Sequence, residues 1–329
     1  MNSDQSWQPI VASAIRDVEE LCNVLDLDFT SQSSTQFPLK VPRSYVDRMV
    51  CGNPKDPLLL QVLPNPEEEV KVFGYSEDPV GDLNARIAPG VLQKYAGRVL
   101  WMPTSSCPIH CRYCFRKHFP AEPFDQEKAF EHLAQHPEIY EVILSGGDPL
   151  MLSDVRLANL LERLETTTQI QRLRIHTRMP IVVPERVGNA LLGLLTRGRL
   201  QKIIVLHTNH PQEIDDQVAS ACHAMKKTGV TLLNQSVLLR GINDDFKILA
   251  KLSERLFSIG VLPYYLHLLD PVQGAAHFFS HPVGLMEEMC SVLPGYLVPK
   301  LVREVRGERF KVLQSIFDFR GSYSKALVK

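Results

Sequence analysis

The sequence predicts an α/β protein built on a parallel sheet, either an open doubly wound sheet or a partial barrel. Three observations carry this expectation. Short apolar, β-rich runs recur from Arg98 onward, amphipathic segments of helical length separate them, and nearly every run ends in polar residues.

The runs are RVLWMPT (98–104), EVILSGG (141–147), RLRIHT (172–177), KIIVLHT (202–207), VTLLNQSVL (230–238) and PYYLHLLD (263–270). Between them, stretches such as Asp154–Leu164 and Ile214–Thr228 repeat their apolar residues with helical period. The runs close on Ser105-Ser106-Cys107, Ser145-Gly146-Gly147-Asp148, His176-Thr177-Arg178, His207-Thr208-Asn209-His210, Asn234-Gln235-Ser236 and Asp270. In βα barrels the C-terminal strand ends converge on one face and carry the site. Polar residues also mark the start of any loop, but six ends rich in His, Asn, Gln and Asp point to a shared site. Residues 1–95 mix helical patterns (Ile15 to Leu25, Pro42 to Val50) with proline-rich linkers such as Leu63-Pro64-Asn65-Pro66, and carry no catalytic motif.

Composition narrows the function classes. The chain has 329 residues, 44% hydrophobic and 22% charged, with a formal net charge of −1. That is a globular composition with no global field for nucleic acid or an anionic membrane. The first 20 residues lack the basic and apolar regions of a signal peptide, and no apolar run reaches a bilayer-spanning length, so a cytoplasmic enzyme is expected. No glycine precedes a lysine, no histidine precedes a glutamate, and there is no G-x-S-x-G, which excludes phosphate-loop, zincin and nucleophile-elbow chemistry.

Three of the seven cysteines, Cys107, Cys111 and Cys114, fall in CPIHCRYC. With His110 or His118 they could form a closed zinc site, although no second knuckle exists. A redox Cys111–Cys114 pair would leave Cys107 unexplained. A [4Fe–4S] cluster uses one thiolate per iron, so three cysteines leave one iron open to a non-protein ligand.

Cys-x3-Cys-x2-Cys after a first strand is the signature of the radical S-adenosylmethionine enzymes, and this sequence resembles a member. The resemblance implies a partial (β/α)6 radical-SAM barrel over 96–294. Around it stand a mainly helical N-terminal extension (1–95) and a short C-terminal segment (295–329). It further implies that S-adenosylmethionine chelates the open iron and is split to a deoxyadenosyl radical. Ser145, Gly146, Gly147 and Asp148 resemble the family's "GGE" segment, which supports the amino end of that cofactor; alone, Gly-Gly-Asp-Pro is only a good turn.

CRYCFRKHF, SGGDPL, RLRIHTRMPIVVP, NHP, NQSVLLRGIND and YYLHLLDPVQGAAHF resemble the lysine 2,3-aminomutases, from about Lys94 to Lys311. Those enzymes also bind pyridoxal 5'-phosphate through a lysine. Matching from Gly295-Tyr296-Leu297-Val298-Pro299 places that lysine at Lys311, although the family's glycine-rich run before it is mostly lost; Lys300 is the fallback. Arg116 matches the arginine that holds the substrate carboxylate, and Asp270 a carboxylate for the ε-ammonium. Glu304 stands where the family has a second such aspartate. Tyr95 and Arg98 match residues near the pyridoxal, while His207, Asn234 and Gln235 are candidates around S-adenosylmethionine. The implied reaction is a radical 1,2-amino migration on L-lysine.

The chain stops 18 residues after Lys311, without the cysteine-bearing C-terminal segment of the catabolic enzymes. With VPRSYVDRM and YYLHLLDPVQGAAHF, this resembles the aminomutases that make (R)-β-lysine for a ligase acting on elongation factor P. A flavodoxin- or ferredoxin-type electron donor is implied; no nucleic-acid or membrane partner is expected. Three alternatives remain open: a catabolic or biosynthetic enzyme making (S)-β-lysine, a radical enzyme acting on lysine within a protein, and a zinc-stabilised, translation-associated binding module.

Overall fold

The computed structural model describes residues 7–28 and 37–314. Ten strands form one sheet in strict chain order: β1 Arg86–Ala88, β2 Val91–Tyr95, β3 Arg98–Trp101, β4 Glu141–Leu144, β5 Arg172–Thr177, β6 Gln201–His207, β7 Thr231–Val237, β8 Leu262–His267, β9 Lys300–Arg303 and β10 Val312–Leu313. Neighbours from β3 to β9 pair parallel, and the pairs at both ends are antiparallel.

That order decides between the two expected architectures. A doubly wound sheet reverses its strand order to place helices on both faces. Here the order never reverses, so successive right-handed crossovers bring every helix to the same face and the sheet curls around its other face. Edge strands β1 and β10 do not pair with each other, so the barrel is partial. All six predicted runs form strands. The parallel strand β9 and the antiparallel β1, β2 and β10 were not foreseen. They are two to five residues long, too short to display an alternation.

The sheet therefore reaches into both flanking segments. Only three short α-helices, Trp7–Ala12, Val18–Val24 and Arg43–Val46, lie in the described part of 1–95, and β1 and β2 continue the sheet there. β9 and β10 do the same in 295–329, whose residues from 315 onward lie outside the described ones.

Alternation along the strands sorts side chains between the two faces. Leu173 and Ile175 of β5, Ile204 and Leu206 of β6 and Leu232 of β7 are buried in the main apolar core with helix residues Leu157, Leu161, Val218 and Met225. Leu266 and Leu301 pack with Leu249, Met286 and Met289 in a second cluster. The 246–258 helix shows how the sequence sets such an element. Asp245 caps it by accepting from the Lys247 and Ile248 amides at 2.7 and 3.4 Å, a contribution of about 1 kcal/mol. Leu249, Leu252, Ser253 and Leu256, three and four apart, are its buried face. No helix among the described residues is long and apolar enough to cross a membrane.

Candidate active site

The cysteine loop follows β3 and is gripped from the N-terminal extension. Lys40 Nζ donates to the Cys107 carbonyl at 2.6 Å, and the Arg112 amide donates to the Gln61 carbonyl at 2.9 Å. The Arg112 side chain, fully buried, makes a bidentate pair with Glu68 at 2.7 and 2.6 Å. From the other side, SGGD docks on the same loop: the Gly147 amide donates to the Thr104 carbonyl at 3.0 Å and the Asp148 amide to Ser106 at 2.8 Å. A Cβ on Gly147 would stand 2.4 Å from the Ser106 oxygen, so only glycine admits this approach. Its freedom is used against the cysteine loop itself.

Asp148 is bonded within the fold. Its carboxylate accepts from Thr177 Oγ1, the Leu150, Arg178 and Met179 amides at 2.7–3.0 Å. It ties the end of β4 to the end of β5. Burial, only partly offset by these bonds, raises its pKa.

Burial raises the pKa of Cys107, with Cys114, Asp148 and Cys111 adding to it, and burial with Cys111 carries Cys114 to about 11. Thiols so placed need a bound cation to become thiolates. The donors around the loop do not gather on one ion. His110 Nδ1 lies 2.9 Å from the Pro38 carbonyl with its ring stacked on Phe37, and His118 Nε2 lies 3.2 Å from the Gln273 carbonyl. Among the described residues no group of three or more His, Cys, Asp or Glu converges on one ion. A cubane instead takes each thiolate on a different iron, so its ligands share a loop without converging on a point.

The concave face of the sheet holds the second half of the site. His176 and His207 meet edge to face at 5.6 Å, and Gln235 Nε2 lies 3.0 Å from His207 Nε2. Burial lowers the pKa of His176 and His267 and carries His207 down to about 3, so all three rings are neutral. Buried His176 Nε2, Gln235 Oε1, His267 Nε2 and Asp270 Oδ1 find no hydrogen-bond partner among the described residues. Such atoms are costly unless a ligand meets them. Asn234 is bonded within the fold as well. Neighbours on a strand face opposite ways, and Asn234 is turned to the helix side, bonded to Thr208 N and O and to Ser236 Oγ at 3.0–3.1 Å.

Lys311 lies beside β10, with its amine 2.9 Å from Glu304 Oε2 and its charge felt by His176, His207, His267 and Asp270. Lys300, by contrast, is exposed at the start of β9. Tyr95 donates to Glu304 Oε1, and Arg98 sits 4.4 Å over the Tyr95 ring. Glu304 thus serves as counter-ion to Lys311. Arg116 is aimed by Asp82 (Nε to Oδ2 2.7 Å) and Ser145 (Nη1 to Oγ 3.2 Å). Burial would raise the Asp82 carboxyl, but Arg116 and Lys94 more than offset it and hold it below the usual range. Sequence reasoning missed Asp82, since nothing in VGDLN announces a partner 34 residues away. Burial raises Asp270 to about 7 against the lowering effect of Lys311.

The family model described as "4Fe-4S single cluster domain" matches residues 96–177. "L-lysine 2,3-aminomutase" of Haemophilus influenzae is 46% identical over 95% of this chain and 96% of its own length. The protein of that name from Escherichia coli is 45% identical, over 94% of each chain. The chain belongs to the lysine 2,3-aminomutase family. A third relative of that name, from Clostridium subterminale, is 31% identical over 93% of this chain and 76% of its own length. As a member, the chain is a radical S-adenosylmethionine enzyme of the isomerase class, with a [4Fe–4S] cluster, S-adenosylmethionine and pyridoxal 5'-phosphate as its cofactors. The residues fit these groups: three neighbouring thiols that share a loop, a half-buried amine, and four polar atoms on one concave face with no partner among the described residues.

Proposed function

We propose that the chain converts L-α-lysine into (R)-β-lysine, and that a separate ligase attaches this product to elongation factor P. The observation that carries the reading is that Lys311 and Asp270 lie near each other at the concave face, Asp270 within reach of the Lys311 charge. Asp270 is a buried carboxylate with an unpartnered oxygen, close enough to the Lys311 amine to feel its charge.

In this reading Cys107, Cys111 and Cys114 hold the cluster, and the backbone of Ser145, Gly146 and Gly147 with Gln235 and His207 flanks S-adenosylmethionine. Lys311 holds the pyridoxal, with Tyr95 and Arg98 beside the ring. When bound, the cluster and S-adenosylmethionine supply a carbon radical, and pyridoxal supplies the π-system across which nitrogen migrates.

The chain's own residues do the positioning. Arg116, its Nε and Nη1 held by Asp82 and Ser145, turns its remaining N–H groups to the substrate carboxylate. Asp270 takes the ε-ammonium, and the two fix the lysine chain between them, because misplacement of the reacting carbon by about 1 Å is expensive. Glu304 pairs with the Lys311 amine, and Tyr95 and Lys94 share its carboxylate. A flavodoxin- or ferredoxin-type protein supplies the electron.

The link to elongation factor P rests on the segments VPRSYVDRM and YYLHLLDPVQGAAHF. Expression in a bacterium lacking its own aminomutase tests it. Elongation factor P should regain the mass of one added β-lysyl group when this chain is supplied together with the ligase. An unmodified factor, with free β-lysine accumulating, would detach the chain from that pathway and favour the catabolic reading.

A further inference from the structure

We infer that Arg178 is a positioning residue for the iron–sulfur cluster, raising its reduction potential through a hydrogen bond to the sulfur of Cys111. The inference rests on the cluster reading above.

Arg178 directly follows β5 and is nearly fully buried, as is its partner Glu213. One terminal nitrogen, Nη1, lies 2.6 Å from Cys111 Sγ and 2.8 Å from Tyr113 Oη. The other, Nη2, donates to Glu213 Oε2 at 2.8 Å, Gln61 Oε1 at 2.7 Å and Tyr45 Oη at 3.0 Å. Four separate parts of the chain build this cradle: the N-terminal extension, the cysteine loop, the end of β5 and the loop after β6. Asn209 closes it, donating from Nδ2 to Tyr113 Oη at 2.6 Å and to Gln61 Oε1 at 3.0 Å. Glu213 is fixed in turn by the Asn209 and His210 amides at 2.9 and 3.0 Å.

A buried guanidinium is costly unless its charge is met. Glu213 meets it on one side only; on the other it faces a neutral phenol and a sulfur. A cysteine that ligates iron carries negative charge on that sulfur, and adding an electron to the cluster makes the charge larger. The N–H group and the cation therefore stabilise the reduced state more than the oxidised one, which shifts the potential upward. Lys40, bonded to the Cys107 carbonyl rather than to its sulfur, lacks that contact.

The test is an EPR-monitored potentiometric titration of the reconstituted holoenzyme, with iron counted per chain. Arg178→Lys, which keeps the charge and loses the fork, and Arg178→Met should each make the cluster harder to reduce. The expected effect for Arg178→Met is at least tenfold, about 59 mV for one electron. Glu213→Gln should shift it the opposite way. Because these variants can fail to load iron, the wild-type cluster is also measured after labelling arginine with nitrogen-15. A weakly coupled nitrogen should then appear in the pulsed EPR spectrum of the reduced cluster. Absence of that coupling, or unchanged potentials in fully loaded variants, would overturn the inference. A wild-type chain that takes up no cluster would instead overturn the cluster reading itself.

Discussion

Asp270 offers the most quantitative handle on substrate recognition. Its pKa stands at about 7 instead of the usual 3.8 because burial penalises the carboxylate, Lys311 offsetting part of that and Glu304 adding to it. That displacement corresponds to about 4 kcal/mol against ionisation. The ε-ammonium of lysine binds only the ionised form. Affinity should therefore fall about tenfold per pH unit below 7 and level off above it, leaving binding about tenfold weaker at pH 6 than at pH 8. Calorimetric titration of L-lysine into the pyridoxal-loaded, oxidised enzyme reads this directly. L-Norleucine, which lacks the ε-ammonium, separates it from titration of the α-amine. Asp270→Asn should remove the Asp270-linked dependence and weaken lysine binding by about a hundred- to a thousand-fold, the cost of breaking a buried charge pair. The same substitution should stabilise the ligand-free protein. A folded-state pKa raised above the unfolded value means that the folded chain holds the extra proton between about pH 4 and 7. Stability is then lost across that window as pH rises, and Asn removes the loss. A higher melting temperature at pH 8 with poorer lysine binding is the expected pair of results. Lysine affinity that follows the norleucine pH profile, unchanged in Asp270→Asn, would refute the reasoning.

Four further outcomes follow from the same geometry. Gly147→Ala places a methyl group 2.4 Å from a backbone oxygen of the cysteine loop, so the loop must shift; iron retained after reconstitution should drop well below four per chain, by colorimetric assay. Lys311→Ala should abolish the visible absorbance of enzyme-bound pyridoxal while iron content stays at the wild-type level. Asn234→Ala should lower the melting temperature, with lost hydrogen bonds costing about 1–3 kcal/mol, whereas Gln235→Ala should leave it nearly unchanged and weaken S-adenosylmethionine binding. Glu68→Gln leaves Arg112 buried without its carboxylate, and about 3–5 kcal/mol of stability should be lost in denaturant titration.

The sheet was legible because each long strand is a short apolar, β-rich run with its own polar end. Arg172–Thr177 and Thr231–Val237 each show the period of two over six or seven residues. β9 and β10, of four and two residues, hold too few positions for a period to be visible, and β10 is a strand only because β9 lies beside it. The cysteine motif was legible for the opposite reason, since its residues are neighbours in the chain. Facing was harder to read. Asn234 and Gln235 are adjacent and both polar, and composition cannot tell which one the sheet turns inward; a bulge against β8 falls between those two residues. The polar network under the cysteines was not legible at all. Arg178, Glu213, Gln61 and Tyr45 come from distant parts of the chain, and each looks ordinary until the fold brings them to one guanidinium.

The most direct test of the account is product analysis under anaerobic conditions. The reconstituted chain is given S-adenosylmethionine, pyridoxal phosphate, dithionite and L-lysine, and the amino acids are resolved by chiral chromatography. The account predicts (R)-β-lysine, lost in Lys311→Ala. The (S) product would move the chain to the catabolic branch, and deoxyadenosine without any β-lysine would contradict the substrate assignment.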